Sequence, residues 1–209
     1  MTLEATSGAT LTHLDDATRA LVRLSATLAA GDEVDVRGAL QSAARITPHE
    51  WIEELLLQTY LFAGFPRALN GMREWRRITP APVASTLAAD VADPVAAGER
   101  TCAQVYGGMY DRLRQNIAAL HPRLDDWMIA EGYGKVLSRS ALDLARRELC
   151  IIAACAASGQ DRQLQSHLHG ARNVGVPDRA IGDTLEALAG VISAPLLDRA
   201  GRLWSRLAA

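Results

Sequence analysis

Aromatic side chains are scarce in this sequence: four Trp, four Tyr and two Phe make up 5% of 209 residues. β-Branched residues are thin beside Ala and Leu, a bias that suits helices far better than sheets, so little or no strand is expected. Charge of either sign is not in excess either. A formal charge of -2 gives no global electrostatic reason to approach nucleic acid or an anionic membrane, which leaves small molecules and other protein chains as partners. No apolar run reaches the roughly 20 residues of a membrane span. The opening MTLEATSGATLTHLDDATRA lacks a basic-then-apolar targeting pattern, and a cytoplasmic protein is expected. Cysteine is sparse and odd in number: Cys102, Cys150 and Cys155 fit neither a disulfide framework nor a metal-binding C-x-x-C. Cys150 and Cys155, five apart on one helix, point about 140° away from each other, so all three read as small buried hydrophobes in a reducing compartment.

What is present is helical periodicity. Residues 14–30 carry apolar side chains at helical spacing, begin among aspartates and stop before Gly31. Residues 34–45 form a second helix. Thr47 and Pro48 open a third through WIEELLLQTYLF, with Thr47 as N-cap, and after Ala63-Gly64-Phe65-Pro66 a short fourth follows as RALNGMREWRR. The same grammar returns 128 to 129 residues later, pairing Arg19 with Arg147, Gly31 with Gly159, Pro48 with Pro177, Pro66 with Pro195 and Trp75 with Trp204. Prolines at helix starts and a late tryptophan are positions where backbone and packing constrain the residue, so a duplicated fold keeps them. The expected organisation is all-α, with two tandem helical-bundle repeats: a first over 1–78, a surface linker over 79–98 containing three prolines, and a larger second over 99–209. Two further helices, 101–117 and 122–134, precede the second copy proper. Whether the halves form two domains or one core is left open by the pattern.

Chemistry concentrates in the second copy. Glu148 lies eleven residues before Gly159 and His167 eight after it, so at about 1.5 Å per residue they sit roughly 16 Å and 12 Å down two antiparallel helices. That mismatch is within side-chain reach. A carboxylate facing an imidazole in such a seam fixes the ring's tautomer and raises its basicity, which suits proton transfer near neutral pH.

Glu148, Gln160, Gln163 and His167 reproduce the spacing of the Glu-x11-Cys-x2-Cys-x3-His motif of D-type alkylhydroperoxidases, within the carboxymuconolactone decarboxylase superfamily. Both cysteines are replaced by glutamine. The surrounding RELCIIAACAASGQDRQLQSHLHGARNVGVP resembles the decarboxylase branch, and LLLQTYLFAGFPRALN in the first copy resembles that family's closing helix and turn. The resemblance implies a cofactor-free lyase: loss of carbon dioxide from an acidic lactone leaves an enolate-like carbanion that an acid must protonate. In this reading His167 donates or accepts the proton, Glu148 orients it, and the amides of Gln160 and Gln163 bond the developing oxyanion; Tyr133 and Lys135, which precede the Glu148 helix, are candidates for the edge of the pocket, with plain packing as the alternative for Tyr133. It also implies a homotrimer imitating a hexamer of single units. No metal or organic cofactor is called for.

The first copy has Ala20 and Gly38 or Ala39 where the second has Glu148 and His167, so it lacks the pair. Arg147 is a candidate for a substrate carboxylate, although its counterpart Arg19 sits in the copy without the pair, which favours a structural role for both. Two other classes compete with the lyase: a thiol-dependent peroxidase using Cys150 or Cys155, and a non-catalytic oligomeric helical protein. A peroxidase needs an attacking thiolate and a resolving thiol, and glutamine at 160 and 163 supplies neither.

Overall fold

A computed structural model of the chain describes residues 13–208 and is all-helical, its only β-type contact being an isolated bridge between Ala189 and Ile192. The opening segment read for a targeting signal lies, through residue 12, outside the described residues. Among those that are described, no helix is long and apolar enough to cross a membrane.

Among the described residues, four helices occupy the first half: α1 (Asp16–Ala30), α2 (Glu33–Ala43), α3 (His49–Ala63) and α4 (Phe65–Ile78). A short α5 (Ala84–Ala88), α6 (Pro94–Tyr106), α7 (Tyr110–Leu120) and α8 (Pro122–Trp127) follow, the last running on as a π-helical segment over Met128–Leu137. The chain closes with α9 (Leu144–Ala157), α10 (Asp161–Asn173), α11 (Asp178–Ala187) and α12 (Ala194–Ala208). Pro66 and Pro195 are each the second residue of their helix, and Trp75 and Trp204 each the eleventh.

Local chemistry sets these boundaries. Asp15 caps α1 by accepting from Thr18 N at 2.7 Å, and Asp143, 128 residues later, caps α9 by accepting from Arg146 N at 2.9 Å. α2 begins with a reciprocal capping box between Asp32 and Asp35. Pro48 and Pro177 are themselves the N-caps of α3 and α11, with no side-chain cap. Thr47 was expected in that role; its hydroxyl instead donates to Ala17 O at 3.1 Å, drawn into the core. The two turn glycines also differ. Gly159 has φ 67°, a left-handed conformation that glycine adopts without strain, whereas Gly31 is extended and is small because a Cβ would meet Thr27 Cγ2 at 2.8 Å.

The stretch read as a linker is not bare loop. It carries α5 and the start of α6, which Asp93 caps and Pro94 opens. The helix expected over 101–117 is broken at Gly107, whose φ of 52° ends α6 before α7 resumes. α6 then packs backbone against backbone on the π-helical segment: a Cβ on Gly98 would stand 2.1 Å from Ile129 O, and one on Gly134 1.9 Å from Pro94 O.

Helices from both halves bury their apolar faces in one continuous cluster, with α1 packed along α9 at its centre. Across that seam Ser25 Oγ donates to Cys150 O at 2.7 Å. A charged knot ties the halves as well: Arg147, 0% exposed, donates to Glu54 Oε2 at 2.6 Å, and Arg139 holds the same carboxylate at 3.0 Å. Arg147 is therefore sequestered and unable to meet a substrate. Arg19 lines an open cleft between α1 and α2, so the two aligned arginines have different surroundings.

Candidate functional site

α9 is amphipathic at its start and wholly buried beyond it, which carries Glu148 into the core with 0% exposure. α10 runs back antiparallel from the Gly159 turn and delivers His167, 5% exposed, to the same level. His167 Nδ1 and Glu148 Oε2 are 2.8 Å apart. A carboxylate on Nδ1 places the ring proton there and leaves Nε2 as the free basic nitrogen. The other carboxylate oxygen, Oε1, is buried and accepts no hydrogen bond from the described residues.

His167 forms part of the wall of a cavity of about 770 Å³, within the usual size range for small-molecule sites. Three regions distant in sequence build the rest. The end of α3 supplies Tyr60, Leu61 and Phe62; α6 and α7 supply Tyr106, Leu113 and Ile117; α8 and the π-helical segment supply Trp127, Met128 and Tyr133. Phe62 meets the His167 ring edge-on at 5.6 Å, so the half without the acid-base pair still shapes the site. Tyr106 and Tyr133 meet edge-on at 6.2 Å. The lining is largely apolar, and no Lys or Arg is part of it.

The residues singled out from sequence divide. Glu148 and His167 meet, and Gln163 and Tyr133 line the cavity with His167. Gln160 does not: it precedes the first turn of α10, is exposed and lies outside the lining, because residues 163 and 167 share one helical face and 160 falls before that face begins. Tyr133 is buried on the π-helical segment, while its neighbour Lys135 is exposed and paired with Glu131 at 2.7 Å. Phe62, Tyr106, Leu113 and Trp127 were not singled out, since nothing local in their segments points toward a site assembled from far along the chain. In the first half, Ala20, Gly38 and Ala39 line the cleft between α1 and α2 without any acid-base pair.

Burial pushes the thiols away from reactivity. Cys102 and Cys155 are raised to about 12 by desolvation, and Cys150 is raised further by complete burial. Thiolate, the nucleophilic form, is therefore negligible at neutral pH. Desolvation likewise raises Tyr106 to about 12 and Tyr133 well above its ordinary range, so both hydroxyls keep their protons and remain donors.

Residues 122–202 match the family model "Carboxymuconolactone decarboxylase family". Over 128 residues the chain is 29% identical to "Peroxisomal protein 2" of Schizosaccharomyces pombe (strain 972 / ATCC 24843), covering 59% of this chain and 60% of that protein. The chain thus spans about three fifths of the length of that curated relative. The matched segment contains the whole α9 to α10 hairpin with Glu148 and His167.

Proposed function

We propose that this chain, whose residues 122–202 belong to the carboxymuconolactone decarboxylase family, is a cofactor-free lyase or isomerase that moves a proton through His167. The observation that carries the proposal is the 2.8 Å contact of Glu148 with His167 Nδ1 at the wall of an apolar cavity. Nε2 takes a proton from carbon beside a carbonyl, and the released electron pair passes into an enolate. The imidazolium then returns the proton to carbon; in a decarboxylation the pair of the breaking carbon–carbon bond enters the enolate as carbon dioxide leaves, and His167, protonated from solvent beforehand, supplies the proton that replaces it. Glu148 fixes the tautomer and stabilises the imidazolium. Gln163 and the protonated Tyr106, whose oxygen accepts from the Tyr133 hydroxyl, are the available donors to the developing oxyanion. The substrate is a small acidic lactone or a related enolisable acid, and no metal or organic cofactor takes part.

The halves are tandem copies of one helical unit, the second retaining the pair, and three chains assemble into a ring. Support comes from the equivalent places of Pro66 and Pro195 and of Trp75 and Trp204, and from exposed Phe65 and Leu69 on α4. Light scattering tests the assembly, a monomer rejecting it.

Incubation with a panel of lactone acids in D2O tests the chemistry. Proton NMR reads deuterium entering carbon beside the carbonyl, or substrate loss with carbon dioxide release. Enzyme-dependent exchange on at least one member is expected; none across the panel rejects the proposal.

A further inference from the structure

The chamber beside His167 offers an acidic substrate no counter-charge, because its wall contains neither Lys nor Arg. A second cavity, of about 590 Å³, adjoins it, and Tyr106, Leu113 and Ser166 line both. Its character is opposite. Arg112 of α7 and Arg162 and His169 of α10 line it, together with the amides of Asn116 and Gln165, and among the described residues no Asp or Glu lines it.

Helical spacing explains the division. Arg162, Gln165, Ser166 and His169 lie three to four residues apart and form one stripe of α10, while Gln163 and His167 form the adjacent stripe facing the apolar chamber. Ser166 marks the ridge between them. The two guanidinium groups are uncommitted: among the described residues neither Arg112 nor Arg162 makes an ion pair. Asp161, next to Arg162, is bonded by Arg199 instead. The contrast on α7 is direct, since Arg114, two residues on and about 200° round the helix from Arg112, grips Asp125 through two bonds of 2.5 and 2.8 Å.

We propose that this second cavity is the anion subsite of the same site, holding the carboxylate of a substrate whose apolar, enolisable part lies against His167. The inference rests on the proton-transfer reading for the identity of the reacting end, but not for the existence of the subsite. Two unpaired guanidinium groups beside a carboxylate-free wall present the forked donors that carboxylates accept bidentately. The cation-free chamber beyond Ser166 takes the apolar body. The ligand class is thus an organic anion with its charge at one end. Keeping the charge out of the chamber leaves the reacting carbon in surroundings where a developing enolate is served by Gln163 and Tyr106 alone.

Titration calorimetry of the full chain with decanoate and with decan-1-ol tests the subsite without needing turnover. Decanoate is expected to bind about tenfold or more tightly than the alcohol, the factor that charge-assisted bonds supply, and the preference should shrink as salt is added. In the Arg112→Gln/Arg162→Gln double variant the preference should fall to near unity, with decanol binding unchanged as the control for an intact chamber. His167→Ala should retain the preference, so loss of proton transfer and loss of the subsite give different results. Equal affinity for the two probes, no decanoate binding in the millimolar range, or a preference untouched by the double variant would overturn the proposal.

Discussion

Gly170 of α10 stands directly against Glu148: a Cβ at that position would lie 2.7 Å from Glu148 Oε2 and 2.7 Å from Val105 Cγ1. The carboxylate reaches His167 only because α10 has no side chain there. Gly170→Ala forces either the carboxylate or α6 to shift, and overpacking of this kind costs about 1–3 kcal/mol despite alanine's better helix propensity. Urea denaturation should show that loss. A variant as stable as the parent would mean that the Glu148 carboxylate does not occupy this position.

The buried charge knot makes a second expectation. Glu54→Ala leaves Arg147 without a counter-ion in the core and Arg139 with only the exposed Asp90 at 3.3 Å, and should cost about 3–5 kcal/mol. Arg147→Met fills similar volume and leaves Glu54 still held by Arg139, so it should cost less than half as much. Paired denaturation curves decide this, and equal losses would refute the assignment of Glu54 as the shared anchor.

Alkaline pH should weaken the fold. Cys102 and Cys155 are raised by burial from an ordinary 9.0 to about 12, and Tyr106 from 10.0 to about 12. Between those values the unfolded chain releases protons that the folded chain keeps, so stability falls as pH rises from 9 toward 12 and is unaffected by these groups below 9. A Cys102→Ala/Cys155→Ala variant should show a shallower fall. Parallel slopes for parent and variant from pH 9 to 11 would contradict the burial of these thiols.

Much of the scaffold was legible because its determinants are local. Aspartates and prolines fix helix starts within a few residues, and the pairing of Glu148 with His167 follows from depths that agree to about one helical turn on either side of a tight turn. What stayed hidden depends on tertiary contact. Gly98 and Gly134 look like helix breakers until the two backbones are seen to touch, and Gly107 looks dispensable until it ends α6. Phe62 reaches His167 from more than a hundred residues away, and no pattern in α3 announces it. Trp75 and Trp204, matched by position, differ in environment: Trp75 is buried and donates to Glu53 at 3.1 Å, whereas Trp204 is partly exposed under Arg172. Position was readable; the neighbours that give a position its chemistry were not.

Glu148 and His167 carry the proposed chemistry, and one comparison of variants tests them directly. Deuterium exchange into a responsive lactone acid is followed for the parent, His167→Ala, Glu148→Gln and a variant with all three cysteines replaced by serine, with circular dichroism confirming the fold of each. His167→Ala should lose exchange by about 100-fold or more, Glu148→Gln should retain a measurable fraction, and the cysteine-free variant should exchange at close to the parent rate. Parent-like exchange in folded His167→Ala, or loss confined to the cysteine-free variant, would contradict proton transfer through this pair.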